Sequence, residues 1–242
     1  MKQKPKIIFH YHMKTRITNR LLVALPLIFI SLEVLARAGG GGGSGSGGGG
    51  KGNLIALILV GIYSFIVTVA LYIKVDHSRS VIEKGGVNDS FWNFEQMRDH
   101  AKRVFLKMQY AWMNRDVNRV KEFISPRLYE DFKTQFDCMT ESGEKNILSG
   151  IEIQSIKIIG CEDYLDNKHD SFIAHIKGTM LDYTINDKTG EVIKNADKRT
   201  ETFTDTFHFI RTGDQWLLDY IDNHVSIWDI IKTRNYYETS KN

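Results

Sequence analysis

His175, Asp182 and His208 are the residues of this 242-residue chain whose types suit acid–base chemistry in a shielded site. An imidazole or carboxyl moved off its ordinary pKa by an apolar pocket can exchange a proton with a bound substrate at neutral pH. Their spacing argues against a dyad. His175 and Asp182 share one alternating stretch, Phe172–Ile185, and sit seven positions apart. In an extended strand an odd separation turns two side chains to opposite faces. His208 stands alone in the segment Thr200–Arg211. No glycine-rich phosphate loop, nucleophile elbow or flanking carboxylate pair accompanies them. The two cysteines, Cys138 and Cys161, form neither a CxxC nor a Cys/His spacing, so zinc binding is unsupported. The expectation is a protein with no catalytic, cofactor or metal site: not an enzyme, but a domain that binds.

A second set of residues could contact a membrane. Arg98, Lys102, Arg103 and Lys107, with His100 among them, decorate one helical stretch, and Phe91 and Trp92 stand just ahead of it. Anionic headgroups attract each basic side chain near the surface by about 1 kcal/mol. Tyr, Trp and Phe rings can dip into the interfacial layer. The competing readings are a solvated face diluted by Asp99, and aromatic rings that pack in the core. Arg98, Lys102, Arg103, Lys107, Phe91 and Trp92 are the membrane-contact candidates.

Charge along the chain is segregated. Residues 1–74 hold nine Lys/Arg and one acid, Glu33, whereas residues 75–242 hold 23 Lys/Arg and 28 Asp/Glu. The globular part is therefore mildly acidic. Without a basic tract it is a poor match for nucleic acid, whose affinity comes mostly from phosphate neutralisation.

The elements that position these residues begin with a leader. Lys2, Lys4, Lys6, Lys14, Arg16 and Arg20 precede an apolar run, Leu21–Leu32, that ends in Leu35-Ala36-Arg37-Ala38. A basic region, a short apolar core and a small-x-small site read as a signal peptide over 1–38. An uncleaved first membrane helix is the alternative, because Glu33 sits close to the site. Residues 39–53 form a glycine-rich linker. Leu54–Ile73 is twenty residues without a charge, matching the roughly 30 Å hydrocarbon layer at 1.5 Å per residue. It is expected to cross a membrane once. Lys74, Arg79 and Lys84 follow it and only Lys51 lies between the glycine tract and the span, so the positive-inside rule puts the carboxyl side in the cytoplasm. Residues 74–87 read as a juxtamembrane linker.

Residues 88–237 read as one α+β domain, followed by a tail, 238–242. Asn88-Asp89-Ser90 offers helix caps, and Phe94, Met97, Ala101, Val104, Phe105, Met108, Ala111 and Trp112 recur at helical steps. A short helix carries Val117, Val120, Phe123 and Ile124. Ser125-Pro126 starts a third helix. From Asn146 the period becomes two, predicting a meander of four strands whose last hairpin turns at Thr212-Gly213-Asp214. The charged stretch to Lys198 reads as a loop. Val225–Tyr237 is weakly amphipathic and either closes the open face of the sheet or offers a helix to a partner.

The ordered set Phe105-x-x-x-Gln109-x-Ala111-Trp112-x-x-x-Asp116, Ser125-Pro126-x-Leu128-Tyr129, Thr204–Arg211, Asp214-x-Trp216-x-Leu218 and Ile221 resembles a known domain. It is similar to the carboxyl-terminal domain of the mitochondrial inner-membrane import translocase's motor adaptor, the forty-four-kilodalton subunit, and its bacterial relatives. The mitochondrial ribosomal protein of the forty-five class shares that domain. The resemblance covers roughly residues 91–222. It implies a cone-shaped fold of the nuclear-transport-factor-two-like type, with helices packed on a curved antiparallel sheet and a hydrophobic pocket between them. It also implies peripheral membrane contact and scaffolding in protein transport, assembly or quality control. The partners expected on that basis are membrane proteins or translocation and assembly machinery, with anionic phospholipids beside them and no nucleic acid. The location expected is a bacterial inner membrane, with the domain facing the cytoplasm. A carrier of lipid or another apolar ligand is the alternative, and a pocket enzyme a more distant one. Recruitment of the import-motor chaperone is not carried over, because this chain has a spanning helix where the mitochondrial adaptor has a soluble helical arm.

Overall fold

A computed structural model describes residues 50–239. The expected signal peptide, most of the expected glycine-rich linker and the end of the expected tail lie outside the described residues. The chain divides into two compact units between Phe65 and Ile66. The described part of the first is the beginning of helix α1 (Gly50–Gly86), which exposes Ile58, Leu59, Ile62 and Phe65. Within its stretch Ile58–Gly86 an 18-residue window has a mean hydropathy of 2.1, so the helix is long and apolar enough, by length and composition, to cross a membrane.

Within the second unit, residues 74–86 are helical where a linker was expected. The reason is burial: Ser78, Val81 and Ile82 are almost fully withdrawn from solvent. Ser78 Oγ donates to Asn235 Oδ1 at 2.9 Å, and Cys161 Sγ donates to the Ser78 carbonyl. The helix stays wound because its inner face has a surface to pack on.

Helix α2 (Phe94–Asn114) starts later than expected. Its N-cap is Asn93, whose side chain accepts from the Gln96 amide at 3.0 Å. Asp89 is occupied elsewhere, accepting from the Phe91 amide and from Arg211. The helix buries Met97, Ala101, Val104, Phe105, Met108 and Ala111, as their spacing predicts, and ends at Arg115 in the left-handed region (φ 51°). A 3-10 turn (Val117–Val120) leads to α3 (Pro126–Glu141), where Ser125 Oγ accepts from the Leu128 amide at 3.2 Å and Pro126 opens the first turn.

The sheet contains the expected meander and more. Strands β1 (Glu144–Asp163), β2 (Ser171–Asn186), β4 (Thr200–Thr212) and β5 (Gln215–Asp222) pair antiparallel. A short β3 (Val192–Lys194) forms inside the predicted charged loop and pairs with β2. After helix α4 (Ile227–Lys232), β6 (Asn235–Tyr237) adds to β1 in parallel, giving the order β5-β4-β2-β1-β6. Three register shifts along β1, the first at Gly150 (φ +60°), curl the sheet.

Helices α2 and α3 lie on the side of the sheet that carries Phe172, Ala174 and Ile176 of β2 and Phe207 and Phe209 of β4. Phe105 of α2 seats between two rings of β4, 5.3 Å from Phe203 and 5.6 Å from Phe207 between centroids. Phe172 stacks on Phe209 at 4.5 Å and meets Trp216 edge-on at 4.9 Å. Residues 223–234 form a strap over the opposite face, from the end of β5 to β6. Ile230 is buried there, and Thr233 Oγ1 donates to the Ile159 carbonyl. Gly160 permits this approach, since a Cβ there would lie 3.1 Å from the Arg234 carbonyl oxygen. Of the two roles open to Val225–Tyr237, closing the sheet is the one the packing displays.

Candidate functional site

The α2 face that looks away from the sheet carries Arg98, Lys102, Leu106 and Tyr110 in one row of four-residue steps, with Arg103 and Lys107 beside it. Residues so spaced lie one above another on a helix. Arg98 is half-buried and spends its charge on Glu95 at 2.6 Å. Lys107 stands 4.7 Å over the Phe123 ring, and Arg119 covers Tyr110 at 5.1 Å. Lys102 and Arg103 are exposed, with Arg103 reaching His100 Nδ1 at 3.5 Å. Leu106 and Tyr110 are 41% and 52% exposed. The basic candidates are thus gathered on one face. Leu106 and Tyr110, which sequence reasoning passed over, belong with them; two large apolar side chains four apart in a polar row were the available signal.

Phe91 and Trp92 are not part of that face. Trp92 is 3% exposed and packs edge-on to Trp216 at 5.4 Å. Phe91 is half-buried, stacked on Trp216 at 5.2 Å with the Arg211 guanidinium 4.4 Å above its ring. Their apolar area is already covered by protein, which removes Trp92 from any membrane contact. Next to them opens a groove of about 450 Å³ between α2 and the β4–β5 hairpin, lined by Phe91, His100, Phe123 and Trp216 among others. Burial holds the His100 imidazole below its usual pKa.

Arg211 anchors a charge cluster at that end of the sheet. Its guanidinium is 8% exposed and pairs with Asp170 Oδ2 at 3.0 Å and with Asp89. The entry to α2, the β1–β2 turn and β4 therefore meet on one cation. Burial beside Asp170 and Asp89 pushes the Asp163 carboxyl up to about 6, where Gly85 leaves room for its Oδ2.

The acid–base candidates are separated as their spacing predicts. Ala174 and Ile176 belong to the helix-side core, so His175 faces the other way, toward the strap. It is buried with Nδ1 unpartnered among the described residues, and burial assisted by Lys157 and Lys177 pulls its pKa down to about 4. Asp182 is on the helix side, accepting from Asn146 Nδ2 at 2.9 Å. His208 is half-buried 5.2 Å from the Tyr220 ring. Asp205 was missed. It falls in the apolar register Phe203-x-Asp205-x-Phe207-x-Phe209, opposite Ile176, and is 5% exposed. No hydrogen bond or ion pair reaches its carboxyl among the described residues. Burial, with Asp222 nearby, pushes it up to about 6. Among the described residues no group of His, Cys, Asp and Glu could hold a metal ion.

A family model described as Tim44-like domain matches residues 79–235, well over half of the chain. No curated protein matches. Among solved structures, the intermembrane space region of the chloroplast protein ARC6 is similar at 8% identity and a TM-score of 0.37, over 52% of this chain and 94% of that one. A de novo designed β-sheet protein is similar at 10% identity and a TM-score of 0.30, over 53% of this chain and 88% of that one.

Proposed function

As the chain belongs to the Tim44-like domain family, we propose that it is a membrane-anchored adaptor that docks proteins at an inner membrane during transport, assembly or quality control. The observation that supports this reading most directly is the union, in one chain, of a Tim44-like domain with a helix long and apolar enough to cross a bilayer. The family relation supports, in broad terms, a role beside membrane translocation machinery. The anchor would hold it at one surface, in this reading the cytoplasmic face of a bacterial inner membrane. The basic α2 face, with Leu106 and Tyr110, would contact anionic headgroups and turn the domain toward its partners rather than recruit it. The reading gives the domain a binding role and no catalytic one.

Crosslinking in intact membranes, followed by purification through the carboxyl terminus, tests it. Stoichiometric recovery of membrane or secretory proteins supports the adaptor and names its pathway. Recovery of the chain alone with a bound lipid would replace it with the carrier reading.

A further inference from the structure

The strap that closes the sheet reaches α1 where the apolar run ends. Ile73 is the last residue of that run, and the Lys74 ammonium donates to the Thr233 carbonyl at the C-terminus of α4. One turn on, Ser78 bonds Asn235. Helix α4 turns Ile230 inward and leaves Trp228 and Ile231 exposed at 43% and 41%. These two are three apart and share a face. From Thr233 back to Trp228 is five residues, about 7.5 Å of helix at 1.5 Å per residue. The headgroup layer on each side of a bilayer is roughly 5–7 Å deep. If α1 crosses the membrane, the C-terminal end of α4 meets the first residue after the apolar run, and the whole length of α4 back to Trp228 is comparable to the depth of that layer.

Residue types fit that location. Tyr72, next to last in the apolar run, is 72% exposed, an aromatic at the level where interfacial belts form. Lys232 follows the exposed pair directly and is itself exposed; Arg234, next on the strap, also stacks on Tyr236 at 4.2 Å. The one acid on α4, Asp229, is engaged by the Ser226 amide and hydroxyl in a capping box. Glu162 is paired to Arg234 at 3.3 Å.

We propose that the outward face of α4, through Trp228 and Ile231, is an interfacial membrane-binding element that seats the domain on the lipid headgroup layer at the exit of α1. This rests on the anchor reading. It adds a second lipid contact, on a different element from the α2 face.

The full chain, reconstituted in phosphatidylcholine vesicles containing a minority of phosphatidylglycerol, tests the proposal. An environment-sensitive fluorophore is placed at Ile231→Cys in a Cys138→Ser background; Cys161 is buried and stays unlabelled. Gln135→Cys on exposed α3 and Leu106→Cys on α2 serve as comparison sites. The expected result is blue-shifted emission at position 231, quenched by spin-labelled lipid, with position 135 aqueous. An unquenched 231 label on a chain that resists alkaline extraction overturns the proposal and leaves the anchor standing. Quenching at 106 but not 231 also overturns it, giving the seat to α2 alone. Release of the chain by alkaline extraction overturns the anchor reading and the proposal together.

Discussion

Arg211 and Asp170 form an ion pair at 3.0 Å in which the Asp170 side chain is fully withdrawn from solvent. Breaking such a pair from one side strands a charge, which costs about 3–5 kcal/mol. Arg211→Leu is expected to lower the midpoint of thermal unfolding of the detergent-solubilised chain by about 10 °C. Arg211→Leu with Asp170→Leu should recover part of that loss: the buried Asp170 carboxylate is no longer stranded, while Asp89 and the Tyr164 amide each still lack their partner. Additive losses in the double variant would show that the pair is not coupled.

Asp205 sits between Phe203 and Phe207 on β4, with Phe105 contacting both rings, and carries a pKa of about 6. The folded pKa lies above the unfolded one, so the stability this residue contributes is complete below about 3.8 and is lost as pH rises through 6. Asp205→Asn is expected to stabilise the chain at pH 7.5 by on the order of 2–3 kcal/mol and to leave it little changed at pH 4. Denaturant midpoints at the two pH values check this. An equal effect at both would mean the carboxyl is not the cause.

His175 has the opposite sign. Its folded pKa of about 4 lies below the unfolded 6.5, so its contribution is complete above 6.5 and is lost as pH falls toward 4. His175→Gln should flatten acid destabilisation across that window and cost little at pH 7, where Nδ1 has no partner to lose. Unfolding midpoints between pH 4 and 7 read it out, and an unchanged acid limb in the variant would refute it.

Gly178 on β2 has no room for a methyl group: a Cβ would come within 2.6 Å of the Phe203 ring and closer still to the Glu152 backbone carbonyl. Backbone cannot step aside as a flexible side chain can. Gly178→Ala is expected to cost about 1–3 kcal/mol, seen as a shift in the same unfolding curves, whereas Gly190→Ala, with open space around it, pays only the strain of its positive φ.

The parts of this fold that were legible in sequence rest on local rules. Helical spacing from Met97 to Ala111 fixed the inward face of α2, Ser125-Pro126 marked the start of α3, and Gly213 marked the β4–β5 hairpin. What escaped depends on partners far along the chain. Residues 74–86 look like a linker until Ser78 meets Asn235, and β3 is three charged-flanked residues that only β2 makes into a strand. Phe91 and Trp92 pass equally for interfacial anchors or core; Trp216, more than a hundred residues away, decides for core. In the candidate site the basic row of α2 was readable from spacing. Asp205 was overlooked because a carboxylate in an apolar register breaks the pattern used to find strands.

The bond between Ser78 and Asn235 joins residues 157 positions apart. At a synthesis rate of 5–20 residues per second, Asn235 is made roughly 8–30 s after Ser78. Helix α1 thus leaves the ribosome long before the segment that caps it exists, and through that interval Ser78, Val81 and Ile82 have no β6 strand to meet. Synthesis of the apolar run and completion of the domain are therefore ordered in time, the helix first and sheet closure last.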